Sequence, residues 1–361
     1  MMQFVSELYP NATAEYRLIN RGKHDFSAIN NEMFMAVRAL SHYEFLSEEI
    51  EYLRSTGLFS EAFLDMLRGF RLDARNVEID SQGNITVRGL WFKTIMWEVP
   101  LMACASELAL SNVNINLCKI IRAAEQKAKT LLDNGCKFID FGTRRRRSLK
   151  VHESIVSAIK NYSSFIGTSN PMIAKENGIK CYGTMAHELI QAMSVIGSLR
   201  SPNAFTMEKW AQIYRGKLGI ALTDTFTSDA FFREFDLFFA KLYDGVRQDS
   251  GDPLQFARKA VAHYQKLGID PSHKTIVFSD SLNVDKCIEI QKLCNELGIK
   301  CVFGIGTNLC NDVPGSPALN FVIKLWKING IPVVKLSDDK GKESGEKQAV
   351  QIMKQIFTQE S

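Results

Sequence analysis

The chain has 361 residues, 45% of them apolar and 23% charged. This ordinary globular mix excludes a disordered, collagen-like or coiled-coil protein, and at about 150 residues per domain the length suits two domains. The 44 Lys+Arg against 40 Asp+Glu leave a net charge of +4. That is too little to mark a nucleic-acid or membrane-surface partner, so anion binding has to come from local clusters.

The eight cysteines form no CxxC pair, which argues against a zinc ribbon or thioredoxin motif and for reduced cytosolic thiols. The opening MMQFVSELYPNATAEYR has no basic segment followed by an apolar one, and predicts no cleaved signal. The most apolar stretch, Thr94 to Leu110, is interrupted by Glu98, Pro100 and Glu107. It falls short of the roughly 18 uninterrupted apolar residues of a spanning helix. A cytoplasmic protein with no membrane partner is the expectation.

In chain order, Thr13 to Asn20 alternates like a strand. Amphipathic helices are predicted over Glu48 to Arg54 and Ser60 to Arg68. Val77–Ile79 and Ile85–Val87 flank a turn-rich joint and predict a hairpin. From Lys137 the pattern changes, and short apolar runs alternate with helical stretches. The runs are 137–141, 164–167, 179–183, 218–223, 241–246, 275–278 and 300–303. Pro253 opens one of the intervening helices, and Gly268 and Gly298 close two of them. Strands alternating with helices imply a parallel sheet, and seven such units favour a closed or nearly closed α/β barrel. Near the end, 320–328 and 331–336 flank Asn329-Gly330, a strong hairpin signal because both positions accept positive φ. The expected architecture is α/β: an irregular barrel of about seven strands over 113–317. A discontinuous α+β sandwich domain is formed from 1–112 and 318–361.

Reactive residues of such a barrel collect on the loops after the strands. Those loops carry Asp140 to Ser148, Gly167 to Pro171, Gly183 to Glu188, Asp224, Arg247 to Pro253, Ser279 to Ser281 and Gly304 to Thr307. Gly-rich turns offer backbone N–H groups to phosphate, arginines grip phosphate or carboxylate, and aspartates hold ribose hydroxyls or magnesium. The single histidine of these loops, His187, can serve as nucleophile or base. Together they point to a phosphorylated sugar and an anionic second substrate. Each part also has a plainer reading. Arg144 to Arg147 suit a solvated patch or a nucleic-acid contact, Gly304-x-Gly306 a tight turn, His187 a structural hydrogen bond, and Asp249 to Pro253 a helix cap.

The ordered set Asp140-Phe141-Gly142-Thr143-Arg144-Arg145-Arg146, Phe165 to Asn170, Gly183-Thr184-Met185-Ala186-His187-Glu188, Leu218 to Asp224, Asp249-Ser250-Gly251-Asp252-Pro253, Phe278-Ser279-Asp280 and Phe303 to Thr307 resembles the nicotinate phosphoribosyltransferases of bacterial NAD salvage. Trp97 to Leu101 and the C-terminal hairpin resemble them too. The resemblance runs nearly end to end. It implies a type II phosphoribosyltransferase fold and transfer of phosphoribosyl from phosphoribosyl pyrophosphate to nicotinate, coupled to ATP hydrolysis, with Mg2+. Residue by residue, it implies that His187 is autophosphorylated and that Phe141 stacks on the pyridine. Arg144 faces the ring or the pyrophosphate, and Arg247 approaches the nicotinate carboxylate and ribose. Asp249 and Asp280 hold ribose hydroxyls or magnesium, and Gly304, Gly306 and Thr307 hold the 5′-phosphate. Ser169 stands where the related nicotinamide enzyme has an Asp; a neutral Ser suits an acid substrate, since two carboxylates repel.

A homodimer with shared sites is implied as well. The family opens with D-x-Y-K-x-x-M, in which the Tyr reaches the neighbouring subunit's nicotinate. Met1-Met2-Gln3 resembles only the tail of that motif, so either the sequence is truncated there or one wall of the site is absent. The alternatives are the same chemistry on nicotinamide and, in a different class, a nucleic-acid binder using Arg144 to Arg147.

Overall fold

The computed structural model describes residues 1–339 and 341–357. The strands in chain order are β1 (Thr13–Asn20), β2 (Val77–Ile79), β3 (Ile85–Leu90), β4 (Phe138–Asp140), β5 (Phe165–Thr168), β6 (Ile220–Leu222), β7 (Gly245–Gln248), β8 (Thr275–Phe278), β9 (Lys300–Ile305), β10 (Phe321–Ile328) and β11 (Ile331–Pro332). The chain divides into two compact units: Met1–Asn116 with Thr143–His152 and Cys310–Ile331, and Leu117–Gly142 with Glu153–Leu309 and 332–357.

The first unit is built on an antiparallel sheet of order β11-β10-β1-β3-β2. β1 forms over the expected residues and pairs with both β10 and β3. Asn329 and Gly330 take φ of 48° and 78°, the two left-handed residues of a tight hairpin turn. The hairpin's second arm is only two residues long rather than the expected six. Pro332 ends it by removing a ladder N–H, and the chain continues into the other unit. The helix Glu61–Arg68 is capped by Ser60 Oγ, which accepts the Phe63 N–H at 3.2 Å. It buries Phe63, Leu64 and Leu67 in a cluster with Met2, Ile50 and Phe70.

The second unit is α/β, with a six-stranded sheet of order β5-β4-β9-β8-β7-β6 and parallel pairing throughout. Beginning at the edge, this is the cyclic chain order of a barrel. The seventh expected strand, 179–183, is reduced to one parallel bridge between Cys181 and Thr168. The cause lies in β5. Gly167 has φ of 149°, and a Cβ there would fall 2.2 Å from the Lys180 carbonyl oxygen. A side chain at 167 would therefore collide with the 180 backbone, which passes directly beside this turned-out residue. Thr168 N–H then donates to Lys180 O and Tyr182 N–H to Thr168 O, at 3.1 and 2.9 Å, and the chain leaves the sheet. Among the described residues no strand ladder joins this run to β6, so the barrel is not closed by a continuous sheet. Thr184 Oγ1 donating to Ile220 O links the two ends.

Two other strands differ from the sequence reading. Lys241 and Leu242 belong to a helix, Leu237–Leu242, because Asp236 caps it by accepting the Phe239 N–H at 3.1 Å; β7 therefore starts at Gly245. β6 starts only at Ile220 because Leu218 is left-handed, with φ of 56°. The helices Pro253–Lys266 and Val284–Leu297 form as expected. Asp252 and Asn283 are their caps, and Gly298 is left-handed after the second at φ of 68°. None of the eight cysteines is in a disulfide. No helix among the described residues is long and apolar enough to cross a membrane.

Candidate active site

The site lies at the carboxyl ends of the parallel strands, where side chains emerge from strand into loop. Thr223, Asp224 and Thr225 follow β6, Arg247 is the penultimate residue of β7 and Asp249 follows that strand, and Ser279 and Asp280 follow β8. His187 is the first residue of the helix His187–Ile196.

The His187 ring is held on both nitrogens. Nδ1 lies 3.1 Å from Thr225 Oγ1, and Nε2 lies 3.0 Å from Asp249 Oδ2 and 3.1 Å from Lys335 Nζ. Asp224 Oδ1 is 3.6 Å from Nε2. The carboxylates at the ring are thus Asp249 and Asp224. Asp224 is fully buried; its Oδ2 accepts from Lys335 Nζ at 2.9 Å and from Ser250 Oγ at 2.6 Å. The histidine and the two aspartates present one ligand atom each, all within 4.8 Å of one another. The Lys335 ammonium contacts His187 Nε2 and Asp224 Oδ2 and offsets part of the negative charge.

Burial, together with the Lys335 charge, lowers the His187 pKa against the pull of Asp224 and Asp249. The surroundings therefore favour the neutral form of the ring. Burial opposes ionisation of Asp249, but Arg247, His187 and Lys335 outweigh it and hold the carboxyl well below its usual range. Asp224 is lowered in the same way, with His187 and Lys335 overcoming its burial.

Arg247 joins this cluster to the next. Its guanidinium donates from Nε to Ser279 Oγ at 2.8 Å and from Nη2 to Asp249 Oδ1 at 3.1 Å, and its Cζ lies 5.7 Å from the centroid of the Phe141 ring. Phe141 N–H donates to Ile305 O at 2.9 Å, which sets the ring beside Gly304 and the Gly306 turn. Thr307 follows directly, opening the short helix Thr307–Cys310. Ser169 is fixed by its N–H to Asp140 O at 2.8 Å, and Thr168 Oγ1 donates to Asp140 Oδ2 at 2.6 Å. Asp280 is half-buried, which raises its pKa, and Lys342 Nζ stands 3.6 Å from its Oδ2.

Phe141, His187, Arg247, Asp249, Gly304 and Gly306 are therefore linked by direct contacts, through Ser279, or through Phe141. Thr307 and Asp280 adjoin them in sequence, and Ser169 is tied to the residue before Phe141. Arg144 belongs to the other unit, where it pairs with Glu98 at 2.9 Å. Its neighbours do not make a solvated basic patch. Arg145 donates to Leu319 O at 3.1 Å, and Arg147 is buried with Nη1 on Ser316 Oγ at 2.8 Å.

Lys335, Asp224 and Thr225 join the site beyond the residues that the sequence assigns to it. The signal for Lys335 was a lysine inside the apolar run Val333-Val334-Lys335-Leu336, where a charge is expensive unless paired. Leu336 N–H donating to Thr225 O at 2.8 Å and Asp338 N–H donating to Ser250 Oγ at 3.1 Å seat that segment on the strand ends.

The family model for the nicotinate phosphoribosyltransferase (NAPRTase) family matches residues 136–361, and that for the NAPRTase N-terminal domain matches 1–106. A nicotinate phosphoribosyltransferase of Methanosarcina acetivorans is 41% identical over 99% of this chain and 95% of its own length. One from Desulforapulum autotrophicum is 43% identical over 96% and 92%. The crystal structure of the nicotinate phosphoribosyltransferase from Porphyromonas gingivalis superposes with a TM-score of 0.95 at 36% identity, covering 99% of this chain and 96% of that one. That from Vibrio cholerae gives 0.94 at 33%, covering 100% and 91%. With both family models matched across the chain and relatives aligned over nearly their whole length, the chain belongs to the nicotinate phosphoribosyltransferase family.

Proposed function

We propose that the chain transfers phosphoribosyl from phosphoribosyl pyrophosphate to nicotinate, giving nicotinate mononucleotide and pyrophosphate, with ATP hydrolysis driving the transfer through phospho-His187. The observation that carries this reading is the doubly held imidazole of His187 within one contact network with Arg247, Asp249 and Phe141.

In the coupling step a ring nitrogen of His187 attacks the γ-phosphorus of ATP. The N–P bond forms, the bond from the γ-phosphorus to the bridging oxygen breaks, ADP leaves, and the phosphoryl group is later passed to water. Asp249 and Thr225 fix the ring for attack, and Lys335 offsets the charge the phosphoryl group brings. In the transfer step the Phe141 ring is the stacking surface for the pyridine. Arg247 attracts the nicotinate carboxylate, and Ser169 places no negative charge opposite it. Asp249 and Asp280 anchor ribose hydroxyls, while the 304–307 turn presents N–H groups to the 5′-phosphate. As C1 loosens from pyrophosphate it gains positive charge and the pyridine nitrogen attacks it; the protein's share is positioning and electrostatics.

Asp249 and Asp280 also offer the hard oxygen donors that Mg2+ prefers, so the residues fit that ion, which would supply charge neutralisation of the pyrophosphate. The reading includes a homodimer and a cytoplasmic location.

The test is turnover of labelled nicotinate or nicotinamide with phosphoribosyl pyrophosphate and magnesium, with and without ATP. The expected result is nicotinate mononucleotide, formed faster and further with ATP. Exclusive use of nicotinamide, or no product, would contradict the reading.

A further inference from the structure

Gly304 lies in β9 opposite Ile139 of β4. Its φ is outside the left-handed region, so any residue could adopt its backbone conformation. Space, not conformation, demands the glycine. A Cβ at 304 would stand 2.4 Å from Phe141 Cδ2, 2.5 Å from Cε2 and 3.1 Å from Cγ, far inside the roughly 3.5–4.0 Å at which carbon atoms pack.

A methyl group added at 304 would therefore push on the ring itself. Phe141 N–H is tied to Ile305 O, and the guanidinium near the ring is itself fixed by Ser279 and Asp249. Gly306 differs, because a Cβ there would meet only the Phe141 backbone, at 3.3 Å from its oxygen.

We propose that Gly304 is a positioning residue for the aromatic acceptor: by ceding its side-chain space to the Phe141 ring, it sets the plane on which the acceptor's pyridine stacks. This rests on the proposed function and deepens it, since it gives the missing side chain of Gly304 a task separate from any phosphate contact of its backbone N–H. An alanine at this position would tilt or shift the stacking surface while leaving the donor's own contacts in place.

The experiment is a double-mutant cycle of Gly304→Ala and Phe141→Val on the full-length protein, reading KM for each substrate. Gly304→Ala is expected to raise KM for nicotinate about tenfold and KM for phosphoribosyl pyrophosphate less than about twofold. In the Phe141→Val background the same change is expected to add less than about twofold to the nicotinate KM, because the shared space is already empty. Equal rises for both substrates, or an undiminished effect in that background, would overturn the proposal. If Gly304→Ala alone fails to fold, the double variant is expected to fold; failure of both would overturn it too. Wild-type protein without nicotinate turnover would instead refute the function on which the inference rests, a result the wild-type arm separates from the others.

Discussion

The two sheets use ion pairs to opposite ends. On the antiparallel sheet, Glu15 and Arg88 are direct partners across β1 and β3. Arg88 contacts Glu15 at 3.0 Å and Glu78 at 2.7 Å, its side chain 53% exposed. At the ends of the parallel strands, Asp224 and Lys335 pair at 2.9 Å with side-chain exposures of 0% and 10%, and His187 touches both groups. In water, a pair of charges exchanges solvent for partner at little net gain. Once buried, each charge depends on its partner, so the pair controls the protonation and position of whatever it faces. Similar separations therefore describe a pair open to water on its Arg88 side in one sheet and a pair buried against the His187 ring in the other.

The comparison breaks most visibly at Asp224. Asp224→Ala strands the Lys335 ammonium and removes the acceptor for Ser250 Oγ. The expected cost is about 3 kcal/mol of stability in denaturant unfolding, together with severe loss of ATP-stimulated turnover.

Lys335→Met is next. The folded-state pKa of His187 lies below its free value, so the ring stays neutral to lower pH than a free imidazole and its protonation is disfavoured by folding. Removing the ammonium leaves Asp224 and Asp249 facing the ring, so the titration moves upward and the acid limb of turnover moves with it. NMR titration of the His187 ring without added magnesium checks the direction; an unchanged or lower pKa would contradict the electrostatic role given to Lys335.

Arg88→Ala is the smallest change. Unfolding should shift by less than about 1 kcal/mol and turnover should not change. A loss approaching that of Asp224→Ala would erase the distinction between the two sheets.

Local signals carried much of the fold. Alternation located β1, Asn329-Gly330 located the hairpin, and capping residues with following prolines and glycines located the helices 253–266 and 284–297. Loops after strands delivered His187, Arg247, Asp249 and Phe141 as candidates. What the sequence concealed depends on close approach and long-range pairing. The Lys180 carbonyl passing beside Gly167 reduced a strand to a bridge, and Asp236 drew Lys241 and Leu242 into a helix. Lys335 reaches Asp224 across 111 residues of chain. Periodicity has no means of reporting such a partner, although a lysine between valines and leucine is a cue that one exists.

If the strand ends hold His187 ready to take a phosphoryl group, ATP labels the ring. Incubation with γ-labelled ATP, followed by assay for acid-labile, alkali-stable protein phosphate, tests it directly. Label is expected on the wild-type protein and none on His187→Ala, with loss of ATP stimulation in that variant. Label persisting in His187→Ala, or a wild-type protein that makes nicotinate mononucleotide with ATP yet never carries labile phosphate, would contradict it.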